Sequence, residues 1–201
     1  MQKLESTWYN MTIVLTIISI IAGASLAYVN EITKGPIAEI QQHNEARAIK
    51  QVLQDEKAVI TDTVIGKSGA VVYLTENGAA VRTMDPLNGS FSGGLTIMVG
   101  LSKDFKVMGY TVLISNETPG LGAKASEWFQ QGEKGDIIGK KAGKLATKKD
   151  NGDINAITAS TITTRSFLRA VNNAYAEYAQ ILNSEIEVDV KTSATLQQNR
   201  K

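Results

Sequence analysis

The sequence predicts an α+β protein: one membrane-crossing helix at the N-terminus, then a domain built on an antiparallel sheet with flanking helices. Three observations predict it. Residues 11–29 carry no charge and are rich in Ile, Leu and Val. Between residues 59 and 114, five short β-branched runs are separated by Gly, Asn, Asp or Ser turns, the pattern of strands joined by short connections. Beyond residue 163 the apolar spacing changes to the helical period. A length of 201 residues suffices for one ordinary domain plus an appendage.

Residues 1–30 are read as the anchor. The run 11–29, MTIVLTIISIIAGASLAYV, is close to the roughly 20 residues a helix needs to cross a bilayer core. Trp8 and Tyr9 precede it and Tyr28 lies near its end, which suits the two membrane–water interfaces. Two rival readings stand beside a retained anchor. One is a cleaved signal peptide, since Ala22-Gly23-Ala24 and Ser25-Leu26-Ala27 have the small-x-small form of a cleavage site. The run is long for that, and the only basic residue ahead of it, Lys3, is balanced by Glu5. The other is a buried core helix. Gly23, Ala24 and Ser25 would let a second transmembrane helix approach closely. Lys3 on one side and Lys34 on the other each have a Glu neighbour, so charge gives no orientation.

Thr33-Lys34-Gly35-Pro36 is expected to break this helix, because proline lacks the N–H and restricts the residue before it. Residues 31–57 are read as a connector, with an amphipathic helix over 37–57 that lifts the domain off the membrane. Its apolar residues are Ile37, Ile40, Ala48, Ile49, Val52 and Leu53. The domain proper is placed at 58–190. Strands are expected at 59–65, 71–75, 79–82, 95–101 and 107–114, with turns at Gly69, Gly78, Gly89 and Gly93-Gly94. A short helix is expected over 123–131 and a longer one over 163–182. The longer one places Phe167, Leu168, Val171, Ala174, Tyr175, Tyr178, Ile181 and Leu182 on one face, and its aromatics are read as core contacts. The polar stretch 191–201 is expected to fray.

Composition excludes several chemistries. Lys plus Arg number 21 and Asp plus Glu 20, so no basic excess exists to hold nucleic-acid phosphates. Cysteine is absent, which removes thiolate catalysis, iron–sulfur ligation and Cys-based zinc sites. The single histidine, His43, lies in a charged helical stretch far from the Gly-rich segments and reads as a solvated surface residue. Any redox chemistry must therefore sit on a bound organic cofactor.

Two segments carry chemistry. The first is Ser115-Asn116-Glu117-Thr118-Pro119-Gly120-Leu121-Gly122, a sharp bend at the end of a strand. Its backbone N–H groups could approach a flat ring or an anion; an ordinary strand-to-helix turn has the same composition. The second runs from Asn155 to Ser166, and six of its twelve residues are hydroxylic: Thr158, Ser160, Thr161, Thr163, Thr164 and Ser166. Capping the following helix needs one or two of them. The helix N-terminus would also stabilise a phosphate, with Arg165 available as a charged contact. A Thr-rich cap alone is the alternative.

Together these segments resemble the FMN-binding domain shared by the G subunit of Rnf complexes and the C subunit of sodium-pumping NADH:quinone reductases. The first family motif, His-x-Glu-Thr-Pro-Gly-Leu-Gly, is matched from Glu117 to Gly122, with Ser115 in place of His. The second, Asp-x-x-Ser/Thr-Gly-Ala-Thr, aligns on residues 155–161. Thr158 and Thr161 match it, while Asn155, Ala159 and Ser160 replace Asp, Gly and Ala. Ile162-Thr163-Thr164-Arg165 resembles the family's Ile-Thr-Ser-Arg. Asn30 to Lys34, the strand from Gly93 to Gly100, and Trp128-Phe129 extend the resemblance over most of the chain, and Gly122-Ala123-Lys124 favours the Rnf protein.

The resemblance implies FMN held through a phosphoester on the Thr161 hydroxyl, attached from FAD by a flavin transferase. It implies a cofactor site of Thr161 with Glu117, Thr118, Gly120, Leu121, Gly122, Thr158, Ser160 and Thr163, with no metal and no catalytic side chain. The chain would be a flavoprotein subunit in an ion-translocating ferredoxin:NAD oxidoreductase complex, passing electrons between its other membrane subunits. It would sit in the cytoplasmic membrane with its domain on the outer face. Two other readings remain: a structural or assembly subunit whose flavin site has decayed, and a domain that binds flavin or another ligand noncovalently.

Overall fold

A computed structural model describes residues 7–87, 89, 90 and 94–198. Lys3, Glu5 and Gly93 of the sequence reading lie outside them. The chain divides into two units, Met1–Asn44 and Glu45–Lys201.

Helix α1 (Trp8–Leu53) is continuous for 46 residues, so the expected break at Thr33–Pro36 does not occur. Proline removes one hydrogen bond but need not end a helix whose flanking turns are intact. The residue before it is Gly35, which carries no Cβ to crowd the proline ring. The Thr33 hydroxyl also bonds the Val29 carbonyl at 2.8 Å. The segment Trp8–Ile37, whose most apolar 18 residues have a mean hydropathy of 2.2, is long and apolar enough to cross a membrane. None of its most apolar window is buried, which removes the core-helix reading. Three of its hydroxyls are satisfied internally: Thr12, Thr16 and Ser19 each donate to the carbonyl four residues earlier at 2.8–2.9 Å, as suits a lipid environment.

The helix ends at Leu53, short of the expected residue 57, because Gln54 takes a left-handed conformation (φ 53°) and its side chain donates to the Met108 carbonyl at 2.7 Å. Its apolar face is split. Ile37 and Ile40 are exposed, whereas Ala48, Ile49, Val52 and Leu53 pack on the sheet against Ala80 and Met98. Close contact here depends on Gly100 and Gly109, paired across two strands: a Cβ on either would lie 2.1 or 2.9 Å from the Val52 carbonyl oxygen. Glu45 fixes the first turn of this packed part through Arg82 (2.7 Å) and the Tyr73 hydroxyl (3.2 Å). His43 is exposed, as read.

All five expected strands form: β1 (Ile60–Ile65), β2 (Val71–Thr75), β3 (Gly78–Met84), β4 (Leu95–Ser102) and β5 (Val107–Ser115). They make one antiparallel sheet in sequence order, as short connections dictate. Side-chain alternation sends Val81, Ile97, Val99 and Leu101 to the face opposite α1. That face is covered by the C-terminal helix, Thr161–Gln198, whose Phe167, Leu168, Val171, Ala174, Tyr178 and Ile181 are buried there, with Tyr175 and Leu182 packed at the edge. Phe167 stacks on Phe129 at 4.3 Å and meets Tyr110 edge-on at 4.9 Å, so these aromatics are core contacts. The helix continues past Lys191, where fraying is expected, to Gln198.

The expected helix over 123–131 is shorter. A 3-10 turn at Gly122–Lys124 leads into α2 (Ala125–Trp128), and the chain then leaves the helix. The C-terminal helix is accordingly α3 (Thr161–Gln198). Tyr110 accounts for the early end of α2: its buried hydroxyl donates to the Ala125 carbonyl at 2.8 Å and accepts the Phe129 N–H at 3.2 Å. Burial pushes the Tyr110 phenol pKa well above its ordinary value.

Candidate functional site

The two chemical segments meet at the end of the sheet where β5 stops and α3 starts. Between them lies a cavity of about 360 Å³ lined by Glu117, Thr118, Leu121 and Gly122 on one wall and by Ala159, Ser160, Thr161, Ile162 and Thr163 on the other. Seven of the nine expected site residues line it; Gly120 and Thr158 do not, both being exposed beside it.

The first wall is a type II turn. Pro119 fixes the first central position, Gly120 takes φ +78° at the second, and the Leu121 N–H closes on the Thr118 carbonyl at 3.1 Å. Gly120 thus serves the turn and not the cavity. Ser115, in place of the family histidine, accepts the Glu117 N–H at 3.3 Å. The Thr118 carbonyl also takes the Ala123 N–H at 3.3 Å, so part of the expected row of free amides is spent inside the loop. Gly122 is buried for a different reason: a Cβ there would lie 2.3 Å from Glu117 Oε2 and 2.8 Å from Thr163 Oγ1.

The second wall begins with Trp128 and Asn155. Trp128 Nε1 donates to the Asn155 carbonyl at 2.9 Å, and Asn155 Nδ2 donates to the Lys134 carbonyl at 2.6 Å. An aspartate could not make the second bond, which gives Asn155 a structural role outside the cavity. Ala159, in place of the family glycine, takes φ +59°. Ser160, in place of alanine, donates to Thr163 Oγ1 at 2.8 Å.

The hydroxyls now sort by environment. Thr163 is buried and donates to Glu117 Oε2 at 2.9 Å, joining the walls. Thr164, inside the first turn, donates to the Ser160 carbonyl and accepts the Ile157 N–H, both at 3.0 Å, and so ties the incoming chain to the helix. Thr161 lines the cavity at the first position of α3, part-exposed, and its hydroxyl makes no hydrogen bond among the described residues. Glu117 is 8% exposed, and its second oxygen, Oε1, is buried without a partner.

Arg165 does not face the cavity. Its guanidinium grips Asp150 through Nε at 2.8 Å and a terminal nitrogen at 2.6 Å, so the expected contact with a phosphate is not made. Hydrogen bonds from Arg165 and then Thr147 hold the Asp150 carboxyl down at about 2. A second fork, Arg169 on the buried Asp85, ties the β3–β4 loop to α3. Burial alone would raise the Asp85 carboxyl; the Arg169 bond and the Leu87 and Gly89 amides bring it below its ordinary value.

Two cavity residues were not among the expected ones. Ala159 carried a signal, the loss of glycine at a motif position, but its backbone conformation is invisible in composition. Ile162, 52% exposed, follows the motif threonine and could have been found from its place in the first helical turn. No cluster of three or more His, Cys, Asp or Glu side chains that could hold a metal exists among the described residues.

An orphaned acceptor, a free hydroxyl and a helix N-terminus on one cavity fit a polar, phosphate-bearing ligand. The family model for the FMN-binding domain matches residues 90–176, which span both walls. The chain is 31% identical to the G subunit of the Na(+)-translocating ferredoxin:NAD(+) oxidoreductase complex of Acetobacterium woodii, over 90% of this chain and 97% of that protein. It is 32% identical to the G subunit of the ion-translocating oxidoreductase complex of Yersinia pestis, over 86% of this chain and 91% of that one. The corresponding Escherichia coli protein is also 32% identical, over 80% and 85%.

Proposed function

The chain belongs to the family of G subunits of ion-translocating oxidoreductase complexes, and from that premise we propose that it relays electrons through FMN bonded by its phosphate to the Thr161 hydroxyl. The observation that carries this reading is the sorting of the hydroxyls. Of the six in the segment, Thr161 alone both lines the cavity and makes no hydrogen bond. Ser160, Thr163 and Thr164 are buried and committed to other partners.

The flavin, when bound, supplies reversible electron transfer. The chain supplies its place. Thr161 Oγ takes the FMN phosphoryl group from FAD on a flavin transferase, AMP being the leaving group. The first-turn amides of α3, which have no intrahelical acceptors, would hold the phosphate charge together with the helix dipole. Ser160, Thr163 and Glu117 hold the two walls together. Leu121 and Ile162, both exposed on opposite walls, would cover apolar surface of the cofactor. A covalent bond keeps the flavin in place without demanding high affinity from so shallow a set of contacts. The electron partners are the neighbouring membrane subunits, with the domain on the outer face of the cytoplasmic membrane.

The test is a denaturing gel of the full chain made with and without a flavin transferase. In-gel flavin fluorescence should follow the polypeptide only when the transferase is present. A dark band from a membrane-assembled complex would leave the noncovalent or decayed-site reading in its place.

A further inference from the structure

Glu117 carries an acceptor that nothing in the fold uses. Its side chain lines the cavity and is more than nine-tenths buried. One oxygen, Oε2, ends a directed chain in which Ser160 donates to Thr163 and Thr163 donates to Glu117. The other, Oε1, has no donor at all. No Lys, Arg or His lines the cavity to pair with it. The Glu117 carboxyl sits in the space that a Cβ on residue 122 would fill, 2.3 Å from Oε2, so Gly122 is what admits it there. A buried polar atom left without a partner is costly and calls for an explanation; beside a cavity, a ligand that completes the bonding supplies one.

We propose that Glu117 Oε1 accepts a hydrogen bond from the flavin, from a ring N–H or a ribityl O–H, and so positions the cofactor that Thr161 tethers. This rests on the flavin reading of the cavity but not on the covalent bond. Glu117 is a positioning residue, aimed by Thr163 and given room by Gly122. Its two oxygens divide the work: one joins the walls and the other meets the ligand.

The test uses the full chain carrying Thr161→Ala, so that binding is measured without the tether and independently of the fluorescent gel. FMN, riboflavin and lumiflavin are titrated into this parent, into the Glu117→Met variant, which keeps volume but offers no acceptor, and into Glu117→Gln, which keeps one. Glu117→Met should weaken FMN binding at least tenfold, with Glu117→Gln recovering part of the loss. Its ligand-free melting point should stay close to the parent's, because removing the orphaned oxygen offsets the lost bond from Thr163. Weaker binding of all three flavins identifies a ring N–H as the donor; weaker binding of FMN and riboflavin alone identifies a ribityl hydroxyl, which lumiflavin lacks. Equal affinities in parent and Glu117→Met overturn the proposal, as does a parent that binds none of the three. Lost binding with a matching fall in the ligand-free melting point also overturns it, since Glu117 would then be structural.

Discussion

The two walls of the cavity meet the same backbone demand with different residues. Each needs one left-handed residue to turn the chain toward the site. The β5 wall uses Gly120 at φ +78°, while the α3 wall uses Ala159 at φ +59°. Glycine takes that conformation without penalty; for alanine it costs about 1–2 kcal/mol. The α3 wall departs from the family motif in three side chains, and its left-handed turn at Ala159 leads the backbone to Thr161. Its other departures are absorbed locally, Asn155 by the Lys134 carbonyl and Ser160 by Thr163. The site is therefore defined by where the backbone goes and which hydroxyl it leaves free, more than by the letters of the motif.

The largest effect should come from Gly122→Val. The new side chain would enter the space of Glu117 and Thr163 and force the walls apart, at a cost of about 2–3 kcal/mol. Denaturant unfolding would register it, with a parallel loss of flavin incorporation. Gly120→Val should cost about 1–2 kcal/mol through backbone strain alone, since nothing lies within 4 Å of its Cβ position. Its flavin incorporation should fall less than that of Gly122→Val. If the two rank the other way, the loop acts through its turn and not through close packing under Glu117.

Ala159→Gly sharpens the comparison from the other side. Relief of about 1–2 kcal/mol of strain outweighs the roughly 0.4–1 kcal/mol of extra unfolded-state entropy, so a net gain of about 0.5–1 kcal/mol is expected. A melting temperature that drops in this variant would mean that the left-handed alanine is not strained.

The smallest effect concerns the Arg165–Asp150 fork beside the α3 wall. The Asp150 carboxyl is depressed to about 2 in the folded chain, so the bond contributes fully above its unfolded value of roughly 3.9 and is lost as pH falls from there through about 2. The pair is solvent-exposed, so its removal by Arg165→Gln should barely change stability at neutral pH. It should also leave flavin incorporation unchanged, because Arg165 does not face the cavity. An NMR titration of the Asp150 carboxyl, with a midpoint near 2 in the parent and a higher one in the variant, reads the interaction directly.

The strands were legible because period-two alternation and Gly turns are local signals, and the α3 face because its apolar spacing is regular. The continuity of α1 was not: Pro36 is a strong local breaker, yet the helix runs through it from Trp8 to Leu53. The early end of α2 was equally hidden, since it depends on the Tyr110 hydroxyl, nineteen residues from Phe129. At the site, the two segments could be paired through their family resemblance. Long-range contacts settled the roles within them: Arg165 was drawn off by Asp150, and Thr163 was taken by Glu117, forty-six residues away. Sequence offers six equivalent hydroxyls; the fold distinguishes them.

Peptide mass spectrometry of the chain made with its flavin transferase tests that distinction most directly. The account predicts the mass of FMN less one water on Thr161, lost in Thr161→Ala and retained in Thr163→Ala. An adduct that persists in Thr161→Ala, on Thr158 or any neighbour, would contradict it.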